Sequence, residues 1–355
     1  MNIPKLKIGS ITAEIPIIQG GMGVRVSLSS LASAVTNAGG IGTLSSIGLG
    51  DFVASLSEYE RISREALEYE IRQVKKMTAG PVAVNFMGAL SNVNDLIVTA
   101  VTEGIKIIVF GAGLPTILPE LVPDPAVNLV PIVSSARVAE LIMRVWDKRY
   151  HRTADAFILE GPLAGGHLGF SREQLAQPRE FSLERLLPGL LEVVKAYEDK
   201  YGRKIPVIAG GGIFDGHDIA RMLSLGASGV QMATRFVCTL ECGVAAEFKQ
   251  AYLDAKEEDI VIIDSPVGMP GRAIRNDFLK DLETKEKLPV KCPYRCLTAC
   301  KADKANYCIA KVLLNSYLGD VKNGLIFCGQ NAYRVNKIVT VKELFAELVA
   351  ELQAL

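Results

Sequence analysis

Three stretches of this 355-residue sequence combine residue types and spacings that can do chemistry. In Val207-Ile208-Ala209-Gly210-Gly211-Gly212-Ile213 the glycines directly follow an apolar run. Glycine permits positive φ and close backbone approach, so successive N–H groups can converge on an anion. The next apolar run ends in Gln231-Met232-Ala233-Thr234-Arg235. Two such loops side by side suit a phosphate, and two ordinary tight turns are the plainer alternative. His167 is enclosed in Gly165-Gly166-His167-Leu168-Gly169. An imidazole there can act as acid or base near neutral pH, or can be a turn residue. Of the other two histidines, His151 follows a helical pattern beside Lys148, Arg149 and Arg152 and reads as surface. His217 opens the helix after the glycine run, where it could touch a phosphate or simply face solvent. Finally, Cys292, Cys296, Cys300 and Cys308 are spaced C-x3-C-x3-C-x7-C. Four thiolates can hold zinc or an iron–sulfur cluster. This spacing is neither the usual paired zinc pattern nor the ferredoxin run, and buried structural thiols are the alternative. On a helix, Cys292, Cys296 and Cys300 share a face. Cys238, Cys242 and Cys328 fit no pattern.

The elements that must position these residues follow from the apolar pattern. Continuous β-branched runs at 15–19, 40–44, 81–86, 106–110, 128–133, 155–160, 206–209 and 229–233 read as eight parallel strands buried on both faces. Helical patterns lie between them at 28–38, 59–77, 93–103, 136–150, 183–201 and 216–225. Eight βα units predict a (β/α)8 TIM barrel over residues 1–235. A doubly wound open sheet is the rival, disfavoured by the strand count and the lack of an early GxGxxG. Barrel chemistry sits at the carboxyl ends of the strands, and phosphates often bind after strands seven and eight. The two glycine-bearing loops hold those places. Residues 236–355 read as a C-terminal extension packed on the barrel and carrying the cysteine-rich segment. It has a helix at 241–255, a strand at 259–264, a loop at 265–271 and a helix at 341–352. Substrate-facing walls are expected from the insert after strand two, from 170–181 and from the 265–271 loop.

Composition bounds the partners. Apolar residues make up 49% of the chain, enough for a large core. The 39 basic residues balance 39 acidic ones, so no nucleic-acid footprint is expected. No stretch approaches the ~20 apolar residues of a membrane span, and the N-terminal residues lack a secretory apolar region. A cytoplasmic protein is expected, its cysteines reduced or metal-bound. The extended C-terminal arm is compatible with a homodimer.

Five stretches, in order, carry a family resemblance. They are Pro16–Gly23 (PIIQGGMG), Val84-Asn85, Glu160–Gly169 (EGPLAGGHLG), Ala209–Gly212, and Gly226–Phe236 (GASGVQMATRF). The chain resembles the nitronate monooxygenase (2-nitropropane dioxygenase) family, which also includes the second type of FMN-dependent enoyl-ACP reductase. The resemblance implies FMN, with Gly21 and Met22 against the isoalloxazine ring and Asn85 bonded to its polar edge. It implies that Gly211, Gly212, Gln231, Ala233 and Thr234 hold the ribityl phosphate. Glu160 would contact the flavin tail or order the loop, and Gly166 would lie beside the cofactor. Ala233 departs from the family's usual glycine, which tightens that approach. His167 would face the flavin and act on the substrate. Two chemistries compete: oxidation of an alkyl nitronate using oxygen, and NAD(P)H-dependent reduction of an enoyl thioester. An iron–sulfur cluster beside FMN would argue for an electron-transfer reductase. A non-catalytic FMN-binding module is a third class.

Overall fold

A computed structural model describes residues 2–50, 56–284, 290, 292 and 295–355. Strands β1 (Leu6–Ile8) and β2 (Ile11–Ala13) form an antiparallel hairpin. Then come β3 (Ile17–Gln19), β4 (Gly42–Ser45), β5 (Val82–Met87), β6 (Ile107–Gly111), β7 (Asn128–Val133) and β8 (Phe157–Glu160). A two-residue strand, β9 (Gly166–His167), lies outside their sheet, and β10 (Val207–Gly210) and β11 (Gly229–Met232) return to it. The eight strands pair in parallel in the order β3-β11-β10-β8-β7-β6-β5-β4. A parallel bridge between Ile18 and Ile41 joins the two ends of that order, so the sheet closes as the barrel the sequence predicts.

Helices Ser29–Asn37, Leu56–Met77, Val93–Thr102, Ala136–Tyr150, Leu183–Tyr201 and Gly216–Ser224 connect the strands. The helix Ala136–Tyr150 shows why. Ala139, Ile142, Met143 and Trp146 fall on one face and are buried. The Ser135 side chain accepts the Val138 N–H at its start, and His151 ends it at φ 51. His151 is therefore an exposed terminator, as its basic neighbours suggest.

Strand alternation splits the core. Ile18, Val109, Val130, Ile158 and Ile208 fill the barrel interior together with Leu6 and Ile8 of the hairpin. Leu6 approaches the start of β11 at Gly229, and Gly9 approaches Asn128 at the start of β7. The hairpin thus stoppers the amino-terminal end of the barrel, leaving the carboxyl ends as the open face.

Beyond the barrel, helix Ala246–Asp254 is followed by the antiparallel pair β12 (Ile260–Asp264) and β13 (Pro270–Ile274). Strand β13 also pairs with β9, giving a three-stranded sheet β12-β13-β9 that the sequence reading does not contain. The helix expected from 241 begins only at Ala246. Between Thr284 and Ile309 the described residues form no helix, so Cys296 and Cys300 do not share a helical face; the segment joining Cys292 to Cys296 lies partly outside the described residues. The final helix, Val341–Gln353, lies on Gly216–Ser224, where a Glu351 carboxylate oxygen accepts the Gly216 N–H at 2.6 Å. Leu344, Leu348 and Leu352 are fully buried and belong to the same apolar cluster as the barrel's outer face. Among the described residues no helix is long and apolar enough to cross a membrane.

Because that cluster is shared, Leu348→Ala is expected to cost about 2–5 kcal/mol. A single denaturant transition with a lowered midpoint would bear this out; an unchanged midpoint would show the last helix to be peripheral.

Candidate active site

At the carboxyl ends of the strands lies a cavity of about 500 Å³, a size suited to a cofactor or small ligand. Every residue that the resemblance assigns to the flavin site lines it: Gly21, Met22, Asn85, Glu160, Gly166, His167, Gly211, Gly212, Gln231, Ala233 and Thr234; of the four motif cysteines only Cys296 does. His217 does not. Its side chain is 69% exposed and 4.0 Å from Asp215, on the far side of the helix start.

The loop after β3 is braced from within. The fully buried Gln19 donates from Nε2 to Ser27 Oγ at 2.7 Å and accepts the Thr43 N–H on Oε1 at 3.0 Å. Ser27 Oγ in turn accepts the Met22 N–H at 2.9 Å. Gly21 passes so close to Asn85 that a Cβ would stand 2.3 Å from the asparagine Cβ. Only glycine leaves that floor flat, with Asn85 rising from β5 beside it. The Asn85 amide has no hydrogen-bond partner among the described residues. Ser27 had no motif to mark it; its role comes from the turn that returns it under Met22.

The two glycine-bearing loops meet as anticipated. Gly211 and Gly212 adopt φ of 98° and 86°. Among the described residues no backbone partner takes the N–H of Gly211, Gly212 or Ala233. The Gln231 Nε2 is buried with no partner. An unpaired buried donor such as the Gln231 amide is costly unless a ligand takes it, and with the half-buried N–H groups beside it the cradle fits an anionic group such as a phosphate. Among the described residues no Lys or Arg lines the cavity, so the donors available there are dipoles alone. The start of helix Gly216–Ser224 is closed to an anion, since Asp215 and Glu351 already occupy its N–H groups. Ala233 is tolerated: it abuts Gly20, where a Cβ would come within 3.3 Å of the alanine methyl.

The chain beyond 236 completes the walls. Asn331 Nδ2 donates to the Gly212 carbonyl at 2.7 Å, and Gly329 donates its N–H to Thr234 Oγ1 at 3.2 Å. Val267 and Met269 of the 265–271 loop line the cavity, as does Tyr59 of the insert after β4. The stretch 170–181 does not. Phe170 and Leu175 turn into a separate apolar cluster with Leu168, which corrects that expectation. Phe327, Cys328 and Gly329 are lining residues that no local pattern announces.

Electrostatically the cavity is neutral. Burial raises the Glu160 carboxyl to about 8, against the opposing pull of Arg272. Burial lowers Arg272 to about 10, and its guanidinium donates to the Ala164 carbonyl. Burial lowers His167 to about 4, so its ring is neutral at pH 7. Cys296 also lines the cavity, its thiol pushed up to about 12 by burial and by Cys308, Cys292 and Cys300 nearby. Among the described residues no group of three or more His, Cys, Asp or Glu side chains is placed to hold a metal. The four cysteines of the motif do lie near one another, but among the described residues they are not arranged as a metal's ligand set.

A closed eight-stranded barrel with an anion cradle after its seventh and eighth strands and a neutral histidine above it defines a cofactor-dependent barrel oxidoreductase. The chain belongs to the nitronate monooxygenase family, whose model matches residues 5–351. It is 31% identical over 274 residues to a (3aS,4S,5R,7aS)-5-hydroxy-7a-methyl-1-oxo-octahydro-1H-indene-4-carboxyl-CoA dehydrogenase of Mycobacterium tuberculosis, covering 77% of this chain and 67% of that one. Against the enzyme of the same name from Rhodococcus jostii the match spans 65% of the relative's length. A probable nitronate monooxygenase of Staphylococcus saprophyticus is 29% identical over 327 residues, covering 81% of this chain and 84% of the relative. Among solved structures, FabK from Thermotoga maritima superposes with a TM-score of 0.75 at 26% identity, covering 96% and 94% of the two chains. The fold is shared with nitroalkane oxidase from Streptomyces ansochromogenes, with a TM-score of 0.74 at 23% identity over 96% of each chain.

Gln231→Leu removes a buried donor that the protein itself leaves unpaired. The apoprotein should melt at the same temperature or higher, while FMN affinity falls about tenfold or more; unchanged affinity would exclude Gln231 from the cradle. His167 makes a separate, pH-dependent contribution. Its folded value is lowered from the ordinary 6.5 to about 4, so the unfolded chain binds more protons between those values. Its contribution to stability is complete above pH 6.5 and is lost as the pH falls towards 4. A His167→Gln apoprotein should show a shallower loss of melting temperature across that window than the parent.

Proposed function

We propose that this chain oxidises alkyl nitronates, with FMN in the cavity and oxygen as the final electron acceptor. The observation that carries this reading is the absence of a ready base. Among the described lining residues the one carboxyl, Glu160, is held mostly protonated at neutral pH, and the one imidazole, His167, is a weak base there. Such a site suits a substrate that arrives with its reactive electron pair already available, as a nitronate does. FMN, when bound, supplies the redox chemistry by taking electrons from the substrate and delivering them to oxygen.

The residues divide the remaining work. The N–H groups of Gly211, Gly212 and Ala233, with the Gln231 amide and the Thr234 hydroxyl, hold the phosphate. Gly21 and Met22 support the ring, Asn85 bonds its polar edge, and Glu160 and Gly166 border the tail and the opposite wall. His167 binds a nitronate oxygen through a ring nitrogen and orients the carbon toward the flavin.

A second reading draws on the apolar wall. Leu90, Leu297, Leu313 and Met269 line the cavity, where the acyl part of a thioester would be at home. The M. tuberculosis relative is named for a CoA thioester substrate. In that reading NAD(P)H reduces the flavin and an enoyl thioester is reduced in turn.

Anaerobic mixing of the FMN-loaded protein with propan-2-nitronate, NADH and NADPH in separate cuvettes separates the two. Bleaching by the nitronate alone is expected. Bleaching by NAD(P)H but not by nitronate would establish the thioester reading instead.

A further inference from the structure

His167 is held by residues nearly a hundred positions away. Its strand, β9, pairs with β13 through Gly271 opposite His167 and Arg272 opposite Gly166. Leu168 adds an N–H to the Pro270 carbonyl at 2.9 Å. The turn joining β12 to β13 thereby brings Ser265 alongside the imidazole, where Oγ lies 2.7 Å from Nε2. Phe327 closes the other side of the ring, edge to face at 5.0 Å between centroids. Ser265 is itself anchored from beneath. The Tyr307 hydroxyl donates to the carbonyl of the preceding residue, Asp264, at 3.0 Å.

The hydrogen bonds favour one direction for the proton. Ser265 Oγ accepts the Val267 N–H at 3.3 Å, which uses one lone pair. No other acceptor for the serine proton is present among the described residues. If Nε2 carried the imidazole proton, the serine would accept twice and its own O–H would have no protein partner, leaving it to water at this half-buried position. If Ser265 donates to Nε2, every group in the chain Val267 N–H, Ser265 O–H, Nε2 is paired. The neutral ring then carries its proton on Nδ1, the nitrogen with no protein partner among the described residues, in a side chain that lines the cavity.

The geometry points to Ser265 as a positioning residue that locks His167 in the Nδ1–H tautomer, so that the histidine presents a hydrogen-bond donor, not a proton acceptor, to the ligand. A donor is the complement of an anionic oxygen. This inference rests on the proposed role of His167 toward the substrate, and it goes further by assigning the direction of that hydrogen bond and the residue that sets it. Imidazole tautomers are generally dictated by the partner of the distal nitrogen. Here that partner comes from a turn outside the barrel.

The test is ¹⁵N NMR of the FMN-loaded protein with labelled histidine, where three histidines give a resolvable spectrum. The parent should show a pyrrole-type Nδ1 and a pyridine-type Nε2 for His167, assigned by its loss in His167→Gln. Ser265→Ala should convert His167 to the Nε2–H form or a mixture, and Ser265→Thr, which keeps the hydroxyl, should restore the parent pattern. With propan-2-nitronate, Ser265→Ala should lower kcat/KM about tenfold, chiefly through KM, with FMN affinity unchanged and Ser265→Thr recovering most of it. If Ser265→Ala does not fold, Ser265→Cys keeps the volume with a much weaker partner and serves for the same reading. A parent spectrum with the proton on Nε2, or a tautomer indifferent to the alanine change, would overturn the assignment. Full nitronate turnover by His167→Gln would instead remove His167 from substrate binding and leave the tautomer result to stand on the spectrum alone.

Discussion

The Gln19 N–H bonds to the Ile41 carbonyl, and the Ile41 N–H bonds back to Ile17, each at 2.9 Å. These bonds stitch β3 to the strand that follows it in the chain, while β11 pairs along the other side of β3. No strand of the main sheet is left with an open edge, and all eight point the same way. Their carboxyl ends are forced around one rim, so loops distant in sequence must face one another. The glycine loops, Asn85, Glu160 and the start of the His167 loop are neighbours for that reason alone. The amino-terminal hairpin sharpens the asymmetry by filling the opposite end with Leu6 and Ile8.

Within that rim the chemistry is set by what is missing from the charge balance. A phosphate is usually met by a cation, yet among the described residues no Lys or Arg lines the cavity. A phosphate held here would rely on oriented N–H dipoles and one orphaned amide, which act strongly only where water is excluded. The same exclusion moves Glu160 and His167 toward their neutral forms. A single physical condition, low polarity around the rim, therefore strengthens the cradle and sets the protonation of the groups above it.

The barrel was legible because parallel strands covered on both faces must be continuously apolar, and the runs at 128–133 and 206–209 match their observed strands within a residue. Helix Ala136–Tyr150 was legible to the residue because its buried positions repeat at helical spacing. The meeting of the two glycine-bearing loops was legible because both directly follow strands that neighbour one another in the closed sheet. The support around His167 was not. Strand β9 is two residues long and glycine-flanked, so it carries no alternation, and its partner is separated by more than a hundred residues of chain. Ser265 is an ordinary turn serine until β13 is seen beside it. Tyr307, Phe327 and Asn331 likewise gain meaning only from the way the last hundred residues fold back over the rim.

That fold-back has a consequence for biogenesis. All residues of the anion cradle and the floor under it precede residue 235, whereas Ser265, Val267, Tyr307 and Phe327, which immobilise the imidazole, come later in the chain. A ribosome making this protein finishes encoding the cradle before it has made anything that can aim His167. The order of synthesis thus separates making the glycine loops from making the residues that brace them, Gly329 and Asn331, and those that aim the imidazole.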